Sequence, residues 1–98
     1  MENVLVVWTK RGSVEEAEKI IKLEIGRQYG FSESEFDKTD NGFSFLFDDE
    51  TNCEASFSFT PCIDRSLKIS VCATWAWDAI DLYHLTQRCS DKIEGIIS

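Results

Sequence analysis

The sequence has little of what marks most catalytic and metal-binding domains. It contains one histidine and no C-x-x-C pair, so His84 and Cys89 offer at most a loose half of a zinc site. It has no glycine-rich phosphate loop, no G-x-S-x-G nucleophile motif and no dinucleotide-binding fingerprint. We therefore predict a protein that is not an enzyme and that uses no metal and no cofactor.

Long apolar runs and export signals are also missing. No run approaches the ~20 residues that span a bilayer, and the start, Met1-Glu2-Asn3, has no basic region before an apolar stretch. A cytoplasmic location is the expectation. Because that compartment keeps thiols reduced, we predict buried or half-buried thiols rather than disulfides at the four cysteines, Cys53, Cys62, Cys72 and Cys89.

Positive charge is scarce. The chain carries 10 Lys and Arg against 18 Asp and Glu, a net charge of −8. Nucleic acids and anionic membranes both require a cationic surface, so neither is a predicted direct partner. Residues 31–64 hold nine acids and one base, Lys38, whereas the other nine acids and nine bases cancel. The whole excess of negative charge therefore lies in one third of the chain.

The strongest positive signal is an alternation of apolar and small polar residues with a period of two. It runs through residues 43–47, 55–60 and 67–77, with polar breaks between them. This period indicates three antiparallel strands with one apolar face, and it places Trp75 and Trp77 in or beside the core. The opposite face is small and neutral, and it consists of Ser44, Leu46, Ser56, Ser58, Thr60, Lys68, Ser70, Cys72 and Thr74.

Two predicted helices and one further strand flank this meander. The continuous apolar run at residues 4–8, which ends at Trp8, is typical of a strand buried on both faces. A capping box of Ser13 and Glu16 predicts a helix over residues 14–28, with Gly30 as its terminator. Asp78 is the predicted N-cap of a second helix over residues 79–96.

The order of elements predicts one α+β domain over residues 1–98. The fold is a β-α-β-β-β-α two-layer sandwich, with a three-stranded antiparallel meander, an added N-terminal strand and two helices packed on one face. The first strand should pair with a strand of the meander, and the sequence does not indicate which one.

The connector over residues 31–41 is polar, with Phe31 and Phe36 expected against the core. Ser32 and Glu35 can cap one short helical turn there. Residues 37–48 partly match a calcium-binding loop, but Thr39 stands at the third position of the loop and a strand follows where a helix should. We therefore favour a polar turn that enters a hairpin.

Acidic loops are the strongest indication of function. A patch of acidic residues steers association with a basic surface, and proteins that bind nucleic acid have basic grooves. The leading hypothesis is a non-enzymatic binding protein that inhibits a basic partner, such as a nuclease or another nucleic-acid-binding protein, by occupying its groove. The predicted contacts are Asp48, Asp49, Glu50 and Glu54, with Glu33, Glu35, Asp37 and Asp40 as a second cluster.

The profile of small size, acidity and absent catalytic motifs is similar to that of bacterial immunity proteins and of phage-encoded anti-CRISPR and anti-restriction inhibitors. No motif carries this likeness, so it transfers no functional residue. Two other hypotheses stay open. One is an adaptor or secretion-chaperone-like module that binds through the neutral sheet face and forms a homodimer. The other is an enzyme or small-ligand domain, which requires a pocket between the Phe-lined sheet and the helices.

Overall fold

The computed structural model describes residues 3–95 as a five-stranded antiparallel sheet with two helices on one face. The strands are β1 (Asn3–Thr9), β2 (Asp37–Thr39), β3 (Gly42–Asp48), β4 (Cys53–Pro61) and β5 (Leu67–Ala73), in the sheet order β1-β5-β4-β3-β2. The helices are α1 (Val14–Tyr29) and α2 (Ala76–Gly95), and Glu33–Glu35 forms a short 3-10 helix. The predicted α+β architecture is confirmed, with β2 as an additional short strand. Neither helix in the described part is long and apolar enough to cross a membrane.

The meander forms because its alternating side chains bury one face of the sheet. The register places Phe57 of β4 between Phe43 of β3 and Val71 of β5, and all three side chains are buried. Ring contacts join all seven phenylalanines of the chain into one cluster: Phe31, Phe36, Phe43, Phe45, Phe47, Phe57 and Phe59. This cluster ties the connector, which supplies Phe31 and Phe36, to strands β3 and β4.

Helix α1 has the predicted extent but not the predicted cap. It begins at Val14, and it ends one residue before Gly30, whose left-handed backbone (φ 82°) terminates it as expected. Ser13 makes no side-chain cap hydrogen bond, so the capping box predicted with Glu16 is wrong. The box expected at Ser32 is confirmed, since the Ser32 N–H donates to Glu35 Oε2 at 2.7 Å.

Strand β1 is an edge strand that helices cover on one face, so the prediction of burial on both faces is wrong. Among the described strands it pairs only with β5, and both helices lie on the same side of the sheet. Val7 and Thr9 face the helices and are buried, whereas Val4 is 58% exposed and Trp8 is 60% exposed on the open face. A continuous apolar run does not by itself show that a layer covers its second face.

The end of β5 also differs from the prediction. Ala73 is the last strand residue, paired with Asn3 and Ala55, and α2 already begins at Ala76. Asp78 therefore lies in the first turn of α2 rather than at the N-cap. Trp75 is 39% exposed and Trp77 is 61% exposed, so their predicted place in or beside the core is wrong. Residues 1, 2 and 96–98, including the predicted helix end at Ile96, lie outside the described residues.

Two buried threonines give a test of the packing. Thr9 is 1% exposed and its hydroxyl has no hydrogen-bond partner among residues 3–95, whereas the Thr86 hydroxyl donates to the Leu82 carbonyl at 2.7 Å. Because an unpartnered buried hydroxyl is unfavourable, we expect Thr9→Val to raise the free energy of unfolding by about 1 kcal/mol. Thr86→Val, the matched control, should not raise it. Urea denaturation of the two variants measures the difference, and a loss of stability in Thr9→Val would contradict the expectation.

Candidate acidic binding surface

Acidic residues from two separate segments meet at one end of the sheet. Strand β2 and the 3-10 helix supply Asp37 and Glu35, and the end of β3 and the turn after it supply Asp48 and Asp49. Together these four carboxylates line a concavity of about 460 Å³, whose apolar lining comes from Phe31, Leu46 and Phe47. We call this site the acidic concavity. Half of the residues predicted for partner contact therefore lie around one surface.

Aromatic packing holds the two segments together. The Phe31 ring of the connector stacks on Phe47 of β3, with ring centroids 6.2 Å apart. Tyr29, the last residue of α1, meets the edge of the same Phe47 ring at 4.9 Å. Burial of the Tyr29 hydroxyl, followed by the nearby Asp81 charge, raises the pKa of this tyrosine. The concavity is thus built on rings that pack against the core.

The turn between β3 and β4 presents its acids in different ways. The Asp48 carboxylate accepts a hydrogen bond from the Glu50 N–H at 3.0 Å and so shapes the turn. Asp49 and Glu50 are exposed. Glu54 lies beside the turn at the start of β4, where it pairs with Leu46 across the strands and faces the open side of the sheet. Asp49 and Glu50 are therefore more accessible to a partner than Asp48 is.

Two of the predicted contact residues do not join this surface. The Glu33 carboxylate lies 3.3 Å from Lys22 Nζ of α1, which partly neutralises it. Asp40 lies in the β2–β3 turn, at the other end of β3 from Asp48 and roughly 20 Å away at ~3.3 Å of rise per residue.

No cation of the described residues offsets the acidic concavity. Lys38, the one base of residues 31–64, points to the helix layer, where its Nζ lies 3.4 Å from Glu18 Oε1. Within residues 3–95, none of the carboxylates of Glu35, Asp37, Asp48, Asp49 and Glu50 forms an ion pair. Their negative charge is therefore available to a partner.

A pair of tryptophans beside the acidic turn escaped the sequence prediction. The indoles of Trp75 and Trp77 stack in parallel, with centroids 5.7 Å apart and planes 2° apart. Trp75 Nε1 donates to the Thr51 carbonyl at 3.0 Å, which fixes the pair against the β3–β4 turn. The sequence did not predict this exposed pair because the apolar alternation runs past Ala73, and sequence alone does not show where the neighbouring strands end.

The remaining chemical hypotheses find no assembled site among the described residues. No group of three His, Cys, Asp or Glu side chains in residues 3–95 is placed to hold a metal ion. Thr39 pairs directly with Gly42, so residues 37–48 form a hairpin rather than a calcium loop. His84 is exposed and Cys89 is buried on α2, about 140° apart around the helix.

The cysteines are thiols, as predicted. No disulfide joins them, and Cys53 and Cys89 are buried while Cys62 and Cys72 are half-buried. Burial raises the pKa of the Cys53 and Cys89 thiols, so both favour the protonated, weakly nucleophilic form.

A second cavity, of about 790 Å³, does not lie between the sheet and the helices. It lies between α1 and the connector, and Leu23, Gly26, Phe31 and Phe36 contribute to its lining. Gly26 permits this close approach, because a Cβ there would stand 2.8 Å from the Phe31 carbonyl oxygen. The pocket that a small-ligand domain would require between sheet and helices is instead filled by buried side chains.

No family model matches the chain. No curated protein and no solved structure is significantly similar to it.

Proposed function

We propose that this chain is a small cytoplasmic binding protein, without enzymatic activity, that inhibits a basic protein partner by occupying its nucleic-acid groove. The observation that carries the proposal is the meeting of Glu35, Asp37, Asp48 and Asp49 around one concave surface without a neutralising cation. Like charges gathered in this way repel one another, and a cationic partner relieves that repulsion.

The chemistry of the surface suits arginine and lysine side chains. Carboxylates accept charge-assisted hydrogen bonds from guanidinium groups, often two at a time. The hydrogen bond of 3.0 Å from Trp75 Nε1 to the Thr51 carbonyl holds the Trp75–Trp77 pair beside those carboxylates. The exposed face of this pair offers a cation–π platform. A groove that normally holds phosphates presents the same cations, so this surface competes with nucleic acid for them.

The test is affinity capture from the native host at low salt, followed by elution with salt. We expect a basic nucleic-acid-binding protein that elutes as the salt rises, because screening shortens the reach of exposed charges. The purified partner should then lose nucleic-acid binding when this protein is added. A captured partner that still binds nucleic acid normally would contradict the inhibitor proposal.

A pair of bait variants localises the contact. Trp77→Ala should weaken capture about 30-fold, since exposed tryptophans that a partner covers are frequent hot spots. Ile63→Ala is the control, because Ile63 is fully exposed in the β4–β5 turn, at the opposite end of the sheet from Thr51. Equal weakening by both changes would place the contact elsewhere.

The adaptor hypothesis has an observation of its own. The open sheet face carries three exposed apolar side chains, Val4, Trp8 and Leu46. A partner held by this face would stay bound as the salt rises and would be retained by baits with altered acidic residues. The salt elution thus separates the two candidates in one experiment.

A further inference from the structure

The two edges of the sheet differ in how they are protected. Strand β2 ends one edge with three residues, of which Asp37 and Lys38 are charged. Strand β1 ends the other edge with seven residues, and it has no charge, no proline and no bulge in its pairing. Short, charged edge strands prevent pairing between sheets, whereas long uncharged ones are open to it. Of the two described edge strands, only β2 is protected against strand addition.

Strand β1 is also the one uncharged strand of the five in the described sheet. Strands β2, β3, β4 and β5 each contain at least one charged residue, such as Lys38, Asp48, Glu54 and Lys68. A second copy of a chain with a net charge of −8 is repelled by most of this surface. The β1 edge is itself uncharged, and the Glu94 carboxylate of α2 meets it only beyond its end, where it accepts from the Lys10 N–H at 2.6 Å.

The residues of β1 complement themselves across a two-fold axis. In an antiparallel β1–β1 pair centred on Val6, each Val4 stands opposite Trp8 of the second copy on the open face. On the helix side, Leu5 stands opposite Val7 of the second copy. Aromatic and β-branched residues are favourable cross-strand pairs. Val4 and Trp8 are 58% and 60% exposed, so both side chains have surface that such a pair can cover in part.

The helix layer and the charges agree with this arrangement. Arg88 donates to Gln28 and marks the side of α2 that faces α1. Tyr83 lies about 140° around the helix from it, towards the β1 edge, and accepts from the uncharged Gln87 at 3.0 Å. Antiparallel pairing also sets the Lys10–Arg11 end of one copy beside the Asn3 end of the other. The two acidic concavities, each near a β2 edge, then lie at the two far edges of the joined sheet.

We propose that a second copy of this chain binds at the β1 edge and forms a two-fold symmetric dimer with one continuous ten-stranded sheet. The acidic concavity lies at the opposite edge, near β2, and stays accessible in this dimer. The dimer is therefore independent of the proposed inhibitor function, and it would present two acidic surfaces to partners.

Sedimentation equilibrium tests the dimer. We expect the wild-type protein to have twice the monomer mass and Val6→Lys to weaken association about 100-fold, because two like charges then meet at the axis. Ser58→Lys is the matched control. It adds the same charge in the same row of the open face, two strands in from the edge, and should stay dimeric. Circular dichroism verifies that both variants are folded.

Cysteine trapping tests the register in a Cys62→Ser/Cys72→Ser background. Oxidised Val6→Cys should cross-link to itself. Val4→Cys should cross-link only when mixed with Trp8→Cys. Three outcomes would each overturn the proposal. The wild-type protein could be monomeric at about 1 mM, the two lysine variants could associate equally, or Val6→Cys could fail to trap the dimer. A wild-type protein that stays monomeric but binds an unrelated peptide along β1 would also overturn the proposal.

Discussion

Reversing Asp49 and Glu50 to lysine is expected to lower the affinity for a basic partner at least about 100-fold at low salt. Both residues are exposed in the β3–β4 turn beside the acidic concavity, and neither forms an ion pair within residues 3–95. The double change shifts the local charge by four units and turns steering into repulsion. Most of the loss should appear in the association rate, which stopped-flow fluorescence measures directly.

Asp48 is best left in place in this variant. Its carboxylate accepts from the Glu50 N–H at 3.0 Å, so its replacement would alter the turn as well as the charge. The Asp49 and Glu50 side chains make no contact of this kind, and the reversal removes repulsion among like charges. The thermal midpoint of the double variant should therefore stay equal to that of the wild type or rise.

The matched control for the reversal is Asp40→Lys/Asp91→Lys. It changes the net charge by the same amount, in the β2–β3 turn and towards the end of α2. An equal loss of affinity in this control would show that total charge, and not the acidic concavity, governs binding. At 1 M salt the screening length falls to about 3 Å, so the difference between the two variants should nearly disappear.

The second large effect is expected in the fold. A Cβ atom on Gly42 would stand 1.8 Å from the Phe57 carbonyl oxygen and 2.8 Å from its carbonyl carbon. Gly42 is paired on both sides, with Thr39 of β2 and Ser58 of β4, so neither neighbour can retreat without loss of ladder hydrogen bonds. We expect Gly42→Ala to lower the free energy of unfolding by about 4 kcal/mol, among the largest effects of single substitutions.

Urea denaturation followed by circular dichroism measures this loss, and Gly30→Ala is its control. Gly30 has a φ of 82° and nothing within 4 Å of its Cβ position, so alanine there incurs only the left-handed backbone strain of about 1–2 kcal/mol. A mild effect of Gly42→Ala, similar to that of Gly30→Ala, would contradict the close pairing of β3 with β4. Because β2 pairs through Gly42, the same change should also displace Asp37 from Asp48.

Several elements were predictable because their signals are local. The capping residues Ser32 and Glu35, the terminator Gly30 and the alternation around Phe43 and Phe57 depend on neighbours within a few residues. The three-residue strand β2 was not predictable in this way. It exists because the Asp40–Asn41 turn folds Thr39 back onto Gly42, and so short a segment has no periodicity of its own.

The errors at the three tryptophans share one physical cause. The alternation through Trp77 and the apolar run through Trp8 show which side chains suit a sheet, but not where the partner strands or covering helices end. Ala73 is the last paired residue of β5, and no helix covers the open face of β1. Trp8, Trp75 and Trp77 are consequently exposed, and these exposed rings now mark the candidate interaction surfaces.

The amino-acid sequence by itself determined the α+β class, the meander, the two helices and the confinement of the negative excess to residues 31–64. These properties follow from local periodicity and from composition. The tertiary structure decided which acids meet: strand order brings Glu35 and Asp37 beside Asp48 and Asp49, directs Lys38 to Glu18 and leaves Asp40 at the far end. The physical reason is that strand pairing joins residues distant in the chain, and one residue of register decides the face on which each charge lies.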